Sequence, residues 1–498
     1  MPGGSTLGQK VEGFADGLLA GPLANLFASL DFAATELLLF AGIWFVIGAF
    51  DDLALDLAWL WQTLTAQRRD SHIAPHRAPG DAPTASPEFA VFVPAWDEAE
   101  VIGDMVAHCL ARWPTRDYRL YIGTYANDPA TAAAARESAR GDARVRLVTL
   151  DIAGPTSKAD CLNGLWHAMR ADETAGGWSF RAVVLHDAED VVHPAELGLY
   201  RHALVDHDFV QIPVRPLIDP RARLISGHYA DEFAEAHLRK MPVRSRLGVA
   251  MPSAGVGCAF RREVLQALGH GGEGDAPFAT DSLTEDYELG IRIHESGGRG
   301  IFVRARDGAG DLIATRAYFP ADLGASVRQK TRWMIGIALS GWDRTGWGGS
   351  AGDLWMRARD RRAALAAVVL VAGYLGLLLW SVVGIASALG IYPPAPPDAA
   401  ARVLLIVTGC TLVWRLAIRA ACTGWEHGWA EACWSIPRAL VSNIIAVMAA
   451  RRALVAYAAS LGGAALPWDK TRHRIPAALP AKLPAADPAG VPMARRHG

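Results

Sequence analysis

Val183-Val184-Leu185-His186-Asp187-Ala188-Glu189-Asp190 runs from a short apolar segment straight into three carboxylates. An apolar run without polar alternation is the pattern of a strand buried on both faces, as in parallel sheets covered by helices. Acids crowded at the end of such a strand repel one another unless a cation neutralises them. Outward from this segment (182–186), β-rich runs recur at 89–94, 119–125, 145–150 and 209–214, with helical stretches such as 98–112 and 130–140 between them. Strands alternating with helices predict an α/β fold, a mostly parallel sheet with helices on both faces. Ligands in such sheets bind beyond the carboxyl ends of the strands, so the polar residues after each run are the candidates.

The first strand end, Val93-Pro94-Ala95-Trp96-Asp97-Glu98, breaks at Pro94 and opens a helix with two acids, which an Asp N-cap would also explain. The second ends in Ala126-Asn127-Asp128-Pro129, compatible with an ordinary turn. In Ser157-Lys158-Ala159-Asp160 a lysine early in a helix opposes the macrodipole, which points to a bound anion. At 187–190 the oxygen ligands, with one nearby His and no Cys, favour Mg²⁺ or Mn²⁺ over Zn²⁺. Gly255 and Gly257 supply small residues where a backbone or ligand must come close.

A glycine-rich run at 270–274 leads into Thr280-Asp281-Ser282-Leu283-Thr284-Glu285-Asp286-Tyr287-Glu288. Thr284 followed by acids suits a helix start. Neighbouring helix positions point about 100° apart, so Glu285 and Asp286 do not form one clamp; one can hold structure while the other takes a proton. Gln329-Lys330-Thr331-Arg332-Trp333, alone, is a basic helix with an interfacial Trp beside a membrane.

The 498 residues suffice for one large or two ordinary domains; 51% are hydrophobic, 20% charged, and 17 are Trp, which suits a soluble domain joined to membrane segments. A net charge of −2 gives no general attraction to nucleic acid. Six cysteines without a CxxC pair read as reduced core or membrane residues, placing the soluble part in the cytosol. Apolar runs at about 33–50, 363–391 and 401–420 predict three spans; the first begins too far along, and lacks a basic leader, for a signal peptide. Arg68, Arg69, Arg357, Arg359, Arg361, Arg362, Arg415 and Arg419 flank them on one side, while the Pro-rich 392–397 connector has none, so the segment between the first two spans is expected in the cytoplasm. The run 436–461 is interrupted by Arg451 and Arg452 and is expected to lie in the interface.

In this order, Asp128, Asp187-Ala188-Glu189, Thr284-Glu285-Asp286 and Gln329-x-x-Arg332-Trp333 resemble the membrane-integrated family 2 glycosyltransferases of the cellulose and hyaluronan synthase kind, across roughly 89–333. His186-Asp187-Ala188-Glu189-Asp190 and Trp468-Asp469-Lys470-Thr471-x-His473 further resemble the bacteriophage adsorption protein B type. The resemblance implies a GT-A-type domain at 89–345 on the inner membrane, after an N-terminal segment with the first span (1–70) and a linker (71–88). A juxtamembrane region with two spans (346–435), an interfacial helix with the cytoplasmic Trp468–Thr471 segment (436–475) and a disordered tail (476–498) follow.

It implies a UDP-sugar donor, plausibly an N-acetylhexosamine, and a growing polysaccharide or lipid-linked acceptor. Pro94, Asp97 and Glu98 would border the donor, Asp128 would hold uracil or ribose with Lys158 near the same nucleotide, and Asp187 with Glu189 would bind Mg²⁺ or Mn²⁺. Asp286, with Glu285 beside it, would act as base, and Gln329, Arg332 and Trp333 would hold pyrophosphate and acceptor in a processive, inverting transfer. Transfer to a lipid carrier, or an envelope scaffold that keeps the fold without the activity, are the alternatives. Departures from the pattern are Asp97-Glu98 where Asn-Glu is usual, Glu189 in place of a second Asp, and no RxxxR signature near the C-terminus, where the chain is expected to stop short of a further regulatory domain. Three spans are few for an unaided polymer channel, which implies an oligomer or an envelope partner. The Trp468–Thr471 segment is a candidate flap over the nucleotide site.

Overall fold

The computed structural model describes residues 7–65, 86–269 and 275–463, with side chains from residue 21 onward. The linker (for residues 71–85), the glycine-rich 270–274 run, the Trp468–Thr471 segment and the tail lie outside the described residues.

After the long helix α1 (Leu7–Thr65), the chain alternates β1 (Phe89–Pro94), α2 (Ile102–Arg112), β2 (Tyr118–Tyr125), α3 (Pro129–Ala139), β3 (Val145–Leu150), α4 (Lys158–Gly176), β4 (Ala182–Leu185) and α5 (Glu196–Ala203). It continues through β5 (Phe209–Gln211), β6 (Val214–Leu217), α6 (Ile225–Glu235), α7 (Met241–Arg246), β7 (Cys258–Arg261), α8 (Arg262–Gly269), α9 (Glu285–Glu295), β8 (Gly300–Phe302) and β9 (Thr315–Tyr318). Six helices follow: α10 (Leu323–Trp333), α11 (Ser340–Thr345), α12 (Ala351–Arg361), α13 (Ala363–Ala388), α14 (Ala399–His427) and α15 (Trp429–Leu461).

Seven strands form one sheet in the order β3-β2-β1-β4-β7-β5-β8, parallel except for β7, which is antiparallel to both neighbours. Alternate residues of β1 point to opposite faces. Phe89, Val91 and Val93 enter a core with α2, α3 and α5. Ala90 and Phe92 enter a second core with α4, α8 and α9. Burial on both faces explains why the strands lack polar alternation. The strand order reverses between β1 and β4, so a crevice opens at their carboxyl ends.

The predicted strand 209–214 is two. Pro213 has no N–H for a ladder, and the Ile212 N–H goes to Gly257 O at 3.0 Å. Beyond it, β6 leaves the main sheet to pair in parallel with β9. The helix expected from residue 98 starts at Ile102, capped by no side chain. Asp97 takes a left-handed conformation (φ 53°) at the bend, so it is not the N-cap.

Among the described residues four helices are long and apolar enough to cross a membrane: α1 over Gly21–Thr65, α13, α14 and α15. The fourth is one continuous helix from Trp429, longer than the expected 436–461 and beyond the three spans counted from sequence. α1 packs along α13, where Gly373 and Gly376 leave room for Phe45 and Leu38. Their ends meet the sheet domain in a collar of ion pairs: Asp51 and Asp52 with Arg359 and Arg362, Asp56 with Arg239, and Glu235 with Arg415.

Candidate active site

The crevice holds a cavity of about 230 Å³, and five segments singled out in the sequence contribute to its walls. Pro94 and Glu98 follow β1, Lys158 opens α4, Asp187 and Glu189 follow β4, Glu285 and Asp286 open α9, and Gln329, Arg332 and Trp333 end α10; all line it.

α4 begins where Ser157 and Asp160 form a capping box, which aims the next residue, Lys158, into the cavity. Lys158 Nζ lies 2.5 Å from Asp187 Oδ1 and 3.3 Å from Gly255 O. Burial works against its charge, but Asp187, Glu285 and Asp286 outweigh burial and hold the ammonium well above the usual lysine range. The lysine that looked like an anion site is thus also a counter-ion for the acid cluster.

All three carboxylates after β4 line the cavity, but that of Asp190 is engaged from below. It accepts from His186 Nδ1 at 2.9 Å and from the Asp187 N–H at 3.0 Å, closing the turn that presents Asp187. His186 Nε2 lies 2.9 Å from Glu196, which also accepts from Tyr200. Burial opposes charge on His186, but Glu196 and Asp190 push its pKa up to about 10, so imidazolium under the strand end fixes the turn. With Asp190 committed to the turn, Asp187 and Glu189 are the other two carboxylates of this segment on the lining. No group of three or more His, Cys, Asp or Glu side chains converges as a metal cage among the described residues. Two hard oxygen donors on a cavity wall nevertheless suit Mg²⁺, which fills much of its shell with water and substrate phosphate.

At the start of α9 both Glu285 and Asp286 reach the lining, because the cavity wraps the helix end. Asp286 Oδ1 accepts from the Tyr287 N–H at 2.7 Å. On its other side, a Cβ at Gly255 (φ 74°) would fall on Asp286 Oδ2, so glycine is required there by conformation and by space. Burial raises the pKa of both acids; Asp286 raises Glu285 further, to about 7. The other acids of the stretch are structural: Arg344 donates to Asp281 at 2.5 and 2.9 Å and to Glu288 at 2.7 and 3.1 Å. Thr284 makes no capping bond with its side chain; it packs against Gly336.

Two expected donor residues are not on the lining. The Asp97 N–H donates to Asp128 Oδ2 at 2.6 Å, and Asp128 Oδ1 caps α3 through the Thr131 N–H at 3.3 Å. Together they tie the ends of β1 and β2 at the rim. The lining also includes aromatic residues that were not picked out. Trp96 and Tyr125 pack edge to face with centroids 5.1 Å apart at the end of the cavity near the β1 and β2 strand ends. Phe233, Tyr318 and Phe319 join Trp333 at the opposite end, Phe233 and Phe319 lying 5.0 Å apart. Trp96 stood beside Asp97 in the quoted strand end, whereas Tyr318-Phe319-Pro320 follows β9, a strand not read from the sequence. Gln329 Oε1 is buried there with no hydrogen-bond partner.

The fold is shared with a mannosyltransferase from Pyrobaculum calidifontis solved with GDP-Man and Mn²⁺. That structure is 18% identical with a TM-score of 0.50, over 85% of this chain and 99% of its own, a likeness that shows the GT-A fold. The chain belongs to glycosyltransferase-like family 2, whose model matches residues 87–336. It is similar to bacteriophage adsorption protein B of Escherichia coli K12 and bacteriophage N4 adsorption protein B of Escherichia coli O157:H7, each 32% identical over 91% of this chain. The chain spans 64% of the length of these curated relatives.

Proposed function

We propose that the protein is an inverting glycosyltransferase that moves a sugar, an N-acetylhexosamine or a close relative, from a UDP donor to a growing polysaccharide at the inner membrane. The observation that carries this is Asp286. Its carboxylate is held between the Tyr287 N–H and Gly255 and opens on the same cavity as Lys158, Asp187 and Glu189.

UDP would lie between the Trp96–Tyr125 end and Lys158, with Arg332 near the phosphates. As the acceptor hydroxyl attacks the anomeric carbon, its proton passes to Asp286, which burial makes a stronger base than an exposed aspartate. One base and no covalent nucleophile give a single displacement with inversion. Charge gathers on the leaving diphosphate, where Lys158 and Arg332 oppose it in a water-poor site. Asp187 and Glu189 would hold Mg²⁺ or Mn²⁺, which when bound supplies further stabilisation of that leaving charge. Phe233, Phe319 and Trp333 offer flat faces for an acceptor saccharide, and Gln329 a buried acceptor for one of its hydroxyls. A saccharide-sized aromatic wall favours a polymer over a lipid carrier.

The catalytic domain is assigned to the cytoplasm, with α1, α13 and α14 crossing the bilayer. α15 lies along the membrane surface. Arg438 pairs with Asp231, Ser442 donates to Glu232 at 2.8 Å, Ala449 O accepts from Thr331 and Tyr457 OH donates to Asp343 at 3.2 Å. From Glu431, which pairs with Arg223, to Tyr457 is about 39 Å at 1.5 Å per residue. A helix crossing the bilayer would leave the soluble domain within that length.

The test is label incorporation from a panel of UDP-sugars by membranes carrying the full chain, with Mn²⁺, Mg²⁺ or chelator, beside Asp286→Asn. Metal-dependent, high-mass product absent from the control supports the proposal. A small lipid-extractable product would replace it with carrier transfer, and no incorporation from any donor would favour a scaffold.

A further inference from the structure

Away from the cavity lies a buried ion cluster centred on Asp360, at the end of α12 just before α13. Asp360 Oδ1 accepts from Lys240 Nζ at 2.5 Å; Oδ2 accepts from Arg244 Nη1 at 2.6 Å and from Tyr287 OH at 3.0 Å. Arg244, wholly buried, also donates from Nε to Ala250 O at 2.5 Å. Near the start of the same helix, Asp353 accepts from the Ala250 N–H at 2.8 Å. α12 therefore grips two segments: α9 through the Tyr287 hydroxyl and the loop leading to Gly255 through Ala250.

Those two segments are the ones that meet at Asp286, the Tyr287 N–H on one carboxylate oxygen and Gly255 against the other. α12 is itself held from the membrane side. Trp355 Nε1 donates to Asp51 Oδ1 of α1 at 2.6 Å, Arg359 pairs with Asp51 and Asp52, and α13 continues from its end. An ion cluster of this kind is a poor choice for stability alone, since apolar side chains of like volume would serve as well. Its directed bonds fix orientation.

We propose that Asp360 and Tyr287 are positioning residues for the base, and that α12 sets the place of Asp286 from the membrane side. The inference rests on Asp286 being the base. The experiment uses full-length protein in membranes and the UDP-sugar selected by the panel above, with Tyr287→Phe, Asp360→Asn, the pair, and Asp286→Asn. Tyr287→Phe removes one hydroxyl and keeps the ring against Ala250 and Ile291. It is expected to lower kcat on the order of tenfold or more, as a small misplacement of a catalytic group does, with donor KM within about twofold. Its melting temperature should stay within about 5 °C of the parent. Adding Asp360→Asn should cost little more than the larger single change, since both act through one bond. A parental kcat in Tyr287→Phe beside an inactive Asp286→Asn would overturn the positioning role and leave the base in place. Activity retained in Asp286→Asn would overturn the base assignment itself. Should Asp360→Asn fail to fold, Tyr287→Phe alone decides.

Discussion

Two charged regions of this molecule are built on opposite plans. In the membrane collar, acids and arginines answer one another: Asp51, Asp52, Asp56, Asp231, Glu235 and Glu431 face Arg239, Arg359, Arg362, Arg415, Arg419 and Arg438. In the cavity, Asp187, Glu189, Glu285 and Asp286 outnumber Lys158 and Arg332, and burial raises the pKa of both α9 acids. A matched network holds elements together; an unmatched one is set to exchange protons and to attract cations. The two can be told apart by what breaks when a member is removed.

The largest effect is expected from Asp286→Asn, a loss of about 10²–10⁴ in turnover with UDP binding retained in equilibrium titration, as for any general base. Chelation, or Asp187→Ala, should remove most activity without altering the melting temperature beyond a few degrees; calorimetry beside the label assay checks both. The collar should respond the other way. Arg438 is fully buried, threaded past Gly227 onto Asp231 and Glu431. Arg438→Met should destabilise the chain by about 3–5 kcal/mol by leaving a buried carboxylate short of its partner. Turnover per folded molecule should stay near the parent value, read by activity against the folded fraction in denaturant.

The smallest effect has a sign of its own. The Glu285 pKa is raised to about 7, above its unfolded value, so its charged form weakens the fold at high pH. Glu285→Gln should therefore raise the melting temperature at pH 8, by an amount that fades as the pH falls from about 7 and is gone below the unfolded carboxylate pKa near 4.5. For the parent enzyme, turnover should rise with pH through the raised pKa of the α9 acids, because the base must be ionised to act. An acidic limb at ordinary carboxylate pH would argue against burial of that pair.

The sheet was legible because its signal is local: apolar strands and the helices between them follow from short windows of sequence. The strand-end rule then led to Lys158 and Asp187, and the acidic helix start to Glu285-Asp286. What local windows do not carry is pairing across the chain. Arg344 sits 63 positions from Asp281, whose carboxylate it takes out of the acidic stretch, and nothing near either residue announces the other. Asp97 and Asp128 bind one another's segments for the same reason, 31 positions apart. Pro213 was local and could have been weighed: a proline without an N–H inside a predicted central strand argues for a break. Arg451 and Arg452 made 436–461 look like a surface helix, and α15 runs along the domain over a longer stretch than that.

Gly255 makes the proposed base a matter of clearance as well as chemistry. Between its Cα and Asp286 there is no room for a methyl group, and its backbone is already left-handed. Gly255→Ala would thus leave every charge in the cavity in place while pushing the carboxylate aside. Such a variant is stalled by shape alone, which makes it a natural trap for holding an intact donor and acceptor side by side long enough to be seen.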